Sequence, residues 1–293
     1  MNHTSIITCF DPDLENLISL CKTLLNQNSR ILLVDNSENP ITLDDLNLES
    51  NELRHIKFNK NMGIAYAQNI GIKEALKDKS SFITFFDQDS IIEENFIKNI
   101  LKDIKTKTDG IIAPLSKDII SGELLPSIKL NKLGFPSVLR LKPTEDIFST
   151  DIVISSGTTI SSSIIAKIGF FNEALFIDHV DTEWCLRCKN IGVRIFITSN
   201  VTMKHSIGKE RKKLGPITIQ VHSPERCYFQ MRNSLSLLKF SHVPKIFAAY
   251  DIFSTLFNRM VLIMISNRKR EYFQALLRGL KDGLLSNVKT KSY

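Results

Sequence analysis

The stretch Ser81-Phe82-Ile83-Thr84-Phe85-Phe86-Asp87-Gln88-Asp89-Ser90 decides how this chain is read. Its first six residues form a nearly continuous apolar run, as a strand covered on both faces requires, and the run stops on two carboxylates one residue apart. If strand geometry persists, Asp87 and Asp89 point to the same face, because alternate residues do. Two such oxygens at a strand end suit a hard divalent cation that keeps open positions for phosphate oxygens. A solvated turn can carry the same two residues. The strand before them and a matching acid elsewhere favour the functional reading.

That matching acid is Asp35. Upstream of the central run, Ser5–Phe10 reads as a strand, Leu14–Leu25 as a helix, and Arg30–Val34 as a strand that ends on Asp35-Asn36-Ser37. His55–Phe58 is a weaker strand and Ile64–Leu76 has helical spacing. Downstream, Glu93–Ile104 reads as a helix with Ile92, Phe96, Ile100 and Ile104 on one stripe, followed by a strand at Gly110–Leu115. This βαβ rhythm predicts an α/β fold, a mostly parallel sheet with helices on both faces. Ligands of such sheets sit beyond the carboxyl ends of the strands, where Asp35 and Asp87 both lie.

Residues 116–150 show mixed polarity without a sustained period and read as a long loop region. Order resumes at Asp151–Ser155, with short helices at Ser163–Ile168 and Asp181–Asn190 and a strand at Val193–Thr198. From Pro224 onward the pattern is helical. Asp251, Thr255, Asn258 and Arg259 share one face of the otherwise apolar segment Ile246–Ile265, which makes it amphipathic rather than membrane-spanning. The expected division is a first domain over residues 1–210 and a helical C-terminal region over 211–293.

The chain has 293 residues, 43% hydrophobic and 24% charged, which excludes a disordered or collagen-like protein. Five scattered cysteines do not make a disulfide framework, so a reducing compartment is expected. Met1–Asp13 lacks the features of a secretory signal. The net charge of +7 is unevenly spread. Residues 1–203 carry 21 Lys and Arg against 26 Asp and Glu, whereas residues 204–293 carry 17 against 5. A basic last third faces something anionic or is simply solvated; on charge alone, nucleic acid, anionic lipid and a phosphate-bearing substrate stay open.

Two further constellations stand out. Asp181-Thr182-Glu183-Trp184-Cys185-Leu186-Arg187 opens a helix, where Asp181 is either an ordinary first-turn acid or a general base held at the substrate site. Cys185 and Cys188 form a Cys-x-x-Cys that reads mainly as packing, with zinc or redox roles less favoured because no second pair follows at ribbon spacing. There is no Walker A loop, dinucleotide glycine fingerprint or nucleophile elbow.

Taken in order, several pieces resemble a family-2 glycosyltransferase of the GT-A fold, and within it the bacterial rhamnosyltransferase group. They are Leu32 to Ser37, Asn61-Met62-Gly63-Ile64-Ala65 with Asn69 and Gly71, Phe85 to Ser90, Ser155-Ser156-Gly157, Gly169 to Asp178, Asp181 to Arg187, His205-Ser206-Ile207-Gly208 and Tyr228 to Asn233. The resemblance implies that Asp35 hydrogen-bonds the nucleotide base, that Asp87 sits near the donor ribose and metal, and that Asp89 binds a cation bridging the diphosphate. It places the catalytic base on Asp181. It adds Thr8, Phe10, Asn61, Gly63, Asn69 and Gly157 to the donor-binding set and offers His205 as a further metal ligand, against its reading as a surface strand residue. Relatives commonly carry Glu-Asp before this helix, whereas Val180 precedes Asp181 here, so Asp178 is the candidate supporting carboxylate.

The implied reaction is an inverting transfer of a sugar, L-rhamnose from dTDP-L-rhamnose or else a UDP- or GDP-linked sugar, to a saccharide hydroxyl in surface-polysaccharide synthesis. Its cofactor is a divalent cation, Mg²⁺ or Mn²⁺, which oxygen ligands do not distinguish. The basic, amphipathic last third fits a polyprenyl-diphosphate-linked acceptor and peripheral contact with an anionic membrane, on the cytoplasmic side of a bacterial plasma membrane. Basic residues 209–213 have no interleaved aromatics and no groove-reading motif accompanies them, which disfavours nucleic acid. A nucleotidyltransferase is disfavoured because Cys9-Phe10-Asp11-Pro12-Asp13 stands where its glycine-rich signature belongs. A transferase turned scaffold is disfavoured by the intact acids.

Overall fold

A computed structural model of the chain describes residues 2–48, 50–106, 110–119, 122–139, 147–205, 210–214 and 217–285. The elements run β1 (His3–Cys9), α1 (Leu14–Asn26), β2 (Arg30–Asp35), α2 (Leu43–Leu46), β3 (Leu53–Lys57), α3 (Ile64–Lys77), β4 (Phe82–Asp87), β5 (Ile91–Ile92), α4 (Phe96–Thr106) and β6 (Gly110–Asp118). There follow β7 (Ser127–Leu130), β8 (Pro136–Leu139), β9 (Ile147–Thr150), β10 (Thr159–Ser161), α5 (Ser162–Ile168), a 3-10 turn at Glu173–Leu175, α6 (Val180–Asn190) and β11 (Arg194–His205). The hairpin β12 (Glu210–Leu214) and β13 (Ile217–Val221) precedes α7 (Pro224–Leu237), α8 (Lys245–Ile265) and α9 (Lys269–Leu285).

The main sheet has the order β3-β2-β1-β4-β10-β6-β11-β5, with β9 also paired to β11. β1, β2, β3 and β4 are mutually parallel, as are β6 and β11, while β10 runs antiparallel between the two blocks. β2 and β4 are largely apolar on both faces because helices cover both, while β1 also buries His3, Thr4 and Ser5 in hydrogen bonds to Ser29 and Ser80. Ile6, Leu32 and Phe85 point into one core with Trp184 and Leu186 of α6, and their neighbours Ile7, Leu33 and Phe86 point into the other with Leu17, Leu24 and Phe96 of α1 and α4. α1 starts where the Asp13 carboxylate accepts the Asn16 N–H, and buries Leu17, Leu20, Cys21 and Leu24 at helical spacing.

The expected long loop at 116–150 is instead partly strand: β6 continues to Asp118, β7 and β8 form a hairpin, and β9 joins the sheet edge. These four-residue strands are too short to show an alternation. Ile92 belongs to β5 rather than to the α4 stripe. The expected boundary at residue 210 does not coincide with a break in packing, because Leu237, Phe240, Val243, Phe247 and Ala248 belong to the same core as Ile6 and Phe85. α8 is long and apolar enough to cross a membrane by length and composition. Its inner face nevertheless packs on the body through Phe247, Ala248, Arg259 and Leu262.

Candidate active site

Parallel register brings the strand ends together. Cys9 pairs with Asp35, and Thr8 pairs with Asp87, so β1, β2 and β4 deliver their last residues to one edge. The two ends are tied across that edge by the Phe10 N–H, which donates to Gln88 Oε1 at 2.6 Å. The Asp87-Gln88-Asp89-Ser90 turn closes with the Ser90 N–H on the Asp87 carbonyl (3.1 Å). Ser156 supports it: its hydroxyl accepts the Asp87 N–H at 3.1 Å and meets the Ser90 hydroxyl at 2.8 Å. Asp87 and Asp89 are each half-buried. The Thr8 hydroxyl, buried beside Asp87, has no hydrogen-bond partner among the described residues.

Asp181 reaches the same place from the start of α6. It lines a small pocket with Phe85, Ser155, Phe171, Trp184 and Cys185. Burial first, and then the negative charges of Asp87 and Asp178, push its carboxyl up to about 7, although hydrogen bonds from Ser155 pull the other way. The Gln68 amide donates to Ser155 Oγ (2.9 Å), which leaves the Ser155 hydroxyl hydrogen for Asp181. A carboxylate with its proton affinity raised to near neutrality, next to an acidic pair, is suited to proton abstraction.

The segment before α6 is strained and heavily braced. Phe176, Asp178 and His179 all have φ near +60°, a conformation costly for residues with side chains. α7 holds them there. The Asn233 amide nitrogen donates to the carbonyls of Leu175, Ile177 and Asp178, and Arg232 Nη2 to those of Ala174 and Leu175. Phe229 stacks on Phe176 at 4.7 Å between ring centroids. Arg226 forks onto the Asp178 carboxylate (3.0–3.3 Å) and also feels the charge of Asp87. From α8, Asp251 accepts from His179 Nε2 (2.8 Å) and from Ser234 (2.6 Å). Burial lowers the His179 pKa, but Asp251 more than offsets this and raises it.

This arrangement can be compared with known proteins. Residues 4–152 match the family described as Glycosyl transferase family 2. The dTDP-rhamnosyl transferase RfbF of Shigella flexneri is 34% identical over 283 residues, covering 97% of this chain and 95% of that protein. The chain belongs to glycosyl transferase family 2. Among solved structures, TarS residues 1–349 of S. aureus in complex with UDP-GlcNAc superposes with a TM-score of 0.60 at 15% identity, over 96% of this chain and 81% of that one. GalNAc-T7 with UDP, GalNAc and Mn²⁺ gives 0.60 at 12% identity, over 90% of this chain and 57% of that one. At these identities the likeness concerns the fold, which is GT-A.

Within the family 2 site, the expected residues divide by position. Asp87, Asp89, Asp181, Thr8 and the Phe10 backbone converge on the strand edge. The carboxylate that the resemblance leads one to expect before Asp181 has no counterpart at Val180, which is buried in the core; Asp178 is the nearby acid, held by Arg226. Asp35 lies at the edge but is fully buried. Its oxygens accept the N–H groups of Ser37 (3.0 Å) and Ile41 (2.9 Å), with His55 Nε2 at 3.5 Å, so as placed it organises the 36–41 loop and exposes nothing to a base. Burial raises its pKa, but the bonds from His55, Ser37 and Ile41 win and hold it at about 2. Asn61 accepts from the Asn36 amide (2.9 Å) and the Gly63 N–H (3.0 Å) and so fixes the loop into α3. Gly63 has φ +85°, and a Cβ there would lie 2.6 Å from the Phe176 ring, which explains the glycine by close approach.

Asn69 is placed as a clamp rather than a donor contact. It is fully buried, donates to the Phe171 carbonyl (3.0 Å) and to Glu173 (2.9 Å), and accepts the Phe171 N–H (2.9 Å). Gly157 is likewise enclosed, with φ +76° and Pro114 where a Cβ would stand. The His205 backbone pairs with Asp118, and the preceding Lys204 pairs with Ile91, just after the Asp-x-Asp turn; the His205 side chain lies outside the described residues. Cys185 and Cys188 are buried, unbridged packing residues. Sequence reasoning missed Arg226, His179 with Asp251, and the packing role of Asn233. Of these, Asn233 carried a signal in the Tyr228–Asn233 stretch, and Asp251 in the polar face of the apolar segment Ile246–Ile265, which the fold turns toward His179 and Ser234.

Proposed function

We propose that this glycosyltransferase transfers L-rhamnose from dTDP-L-rhamnose, with inversion, to a hydroxyl of a polyprenyl-diphosphate-linked saccharide during surface-polysaccharide synthesis. The observation that carries the mechanism is Asp181, raised to about 7 and set across from the Asp-x-Asp turn at the strand edge. The donor sugar rests on the likeness to the Shigella protein along nearly the whole of both chains.

The residues divide the work. The transition state is oxocarbenium-like, with negative charge growing on the leaving diphosphate. Asp181 takes the acceptor hydroxyl proton as the new bond forms, on the face opposite the leaving group. Asp87 and Asp89 offer hard oxygen donors, and the unpartnered Thr8 hydroxyl beside them adds another, a set that fits Mg²⁺ or Mn²⁺. A cation bound there supplies neutralisation of the diphosphate charge. Arg226 contributes fixed positive charge near the same place and holds Asp178, whose charge adds a small part to the burial and the Asp87 charge that raise the Asp181 pKa.

The test is donor binding and hydrolysis by the purified protein against a panel of nucleotide sugars, with and without Mg²⁺ or Mn²⁺. Cation-dependent selection of dTDP-L-rhamnose is the expected result. Selection of a UDP- or GDP-linked sugar would overturn the rhamnose assignment and keep the transferase. No turnover of any donor would overturn the catalytic reading.

A further inference from the structure

α8 carries an apolar stripe that the fold leaves uncovered. Ile246, Tyr250, Phe253, Phe257, Met260 and Met264 recur at alternating steps of four and three, which puts them on one face of the helix. All are exposed, with Phe253 at 71% and Met264 at 66%. The surface extends beyond α8. Phe135, near the tip of the β7–β8 hairpin, lies against Tyr250 at 5.5 Å between rings, with exposed Leu133 and Val138 beside it. On α9, Phe273, Leu277 and Leu284 are exposed at helical spacing. An apolar area of this extent on a folded protein calls for a partner.

Charge identifies that partner. Lys245 stands at one end of the stripe and Arg268, Lys269 and Arg270 at the other, with Arg278 and Lys281 along α9 and Lys129 and Lys132 on the hairpin. The three acidic residues of 245–285 are all engaged: Asp251 by His179 and Ser234, Glu271 by Arg268, and Asp282 by Tyr228. An apolar stripe with a basic rim matches the headgroup and acyl layers of an anionic bilayer. The same rim on a second copy would meet like charge. The stripe is also rich in Tyr, Phe and Met rather than the Leu, Ile and Val of a helix–helix seam. We infer that the outer faces of α8 and α9, with the β7–β8 tip, form a docking surface that seats the protein on an anionic membrane.

α8 lies on the membrane and does not cross it, because its other face is fastened to the catalytic loop by Asp251, His179 and Ser234. That fastening ties the docking surface to the segment that carries Asp181, two residues after His179. The inference deepens the proposed function and rests on its lipid-linked acceptor, which would present its sugar near the membrane surface.

The test is flotation with phosphatidylcholine vesicles, with and without phosphatidylglycerol, with dTDP-L-rhamnose affinity in solution measured on every preparation. The wild type should float with anionic vesicles and release as salt rises. Phe253→Ser combined with Phe257→Ser should lower the bound fraction about tenfold, and Lys269→Glu with Arg270→Glu should do so only on anionic vesicles. Met264→Ser with Leu277→Ser is a second, independent apolar variant. Equal binding to neutral vesicles, or flotation unchanged in both apolar variants, would overturn the inference. So would a micromolar dimer that Phe253→Ser dissolves in a protein that does not float. Donor affinity should stay intact in all variants; its absence from the wild type would overturn the rhamnose reading and leave the docking result standing.

Discussion

Two aspartates at one sheet edge are driven in opposite directions by their surroundings. Asp35 is held at about 2 because the side chains of His55 and Ser37, and then the backbone N–H groups of Ser37 and Ile41, together outweigh its burial. Asp181 is pushed to about 7 because burial and two neighbouring carboxylates outweigh the bonds from Ser155. A base works only when ionised, so kcat/KM should fall as pH drops through about 7 and level off above it, as an initial-rate profile will show. Asp35 has a depressed pKa, so it contributes stability above its ordinary value of 3.8 that is lost as pH falls through about 2. That contribution is roughly 2 kcal/mol. Asp35→Asn should therefore lower the unfolding free energy by about that amount at neutral pH and by little in strong acid, measured by denaturant titration.

At the scale of elements, α7 braces the loop before α6 in its strained form. Asn233 is fully buried and donates to three carbonyls of that loop, so Asn233→Ala takes this donor from Ile177 and Asp178, while Leu175 keeps Arg232, at a cost of about 1–3 kcal/mol. The expected outcome is a lower melting temperature and a fall in kcat of about tenfold or more, with donor affinity much less changed. Sequence reading reached the strands of the sheet because β2 and β4 are nearly unbroken apolar runs and β1 carries Ile6 and Ile7 at its centre, and it singled out Asp87, Asp89 and Asp181 because each sits at the end of a strand or the start of a helix. It did not reach the β7–β8 hairpin, where Pro136-Ser137-Val138-Leu139 is exposed or half-exposed throughout and shows no inward face. Nor could it reach the pairs Arg226–Asp178 and His179–Asp251, 48 and 72 residues apart, which exist only once α7 and α8 fold back. Asn69 and Gly157 were legible as motif positions, but their fully enclosed surroundings make them packing residues.

Across the whole molecule, the C-terminal helices are a structural part of the transferase. The main core runs from Ile6 through Val243 to Ala248, and α9 packs closely on α7, where Met231, Leu235 and Leu276 share a cluster. Ending the chain after Val243 should therefore yield a protein without cooperative unfolding, seen by thermal denaturation, whereas serine variants of the exposed α8 stripe should melt close to the wild type. Within the basic last third, Arg226 and Arg232 hold the loop before α6 and Arg259 is buried against Cys227, while Lys269 and Arg270 stay exposed.

Removal of the acceptor proton by Asp181 is tested by Asp181→Asn, with turnover and donor affinity measured on the same protein. The predicted result is a fall in turnover of about 10²–10⁴ with dTDP-L-rhamnose affinity changed by no more than about threefold. Turnover close to the wild type, with the pH dependence retained, would contradict it.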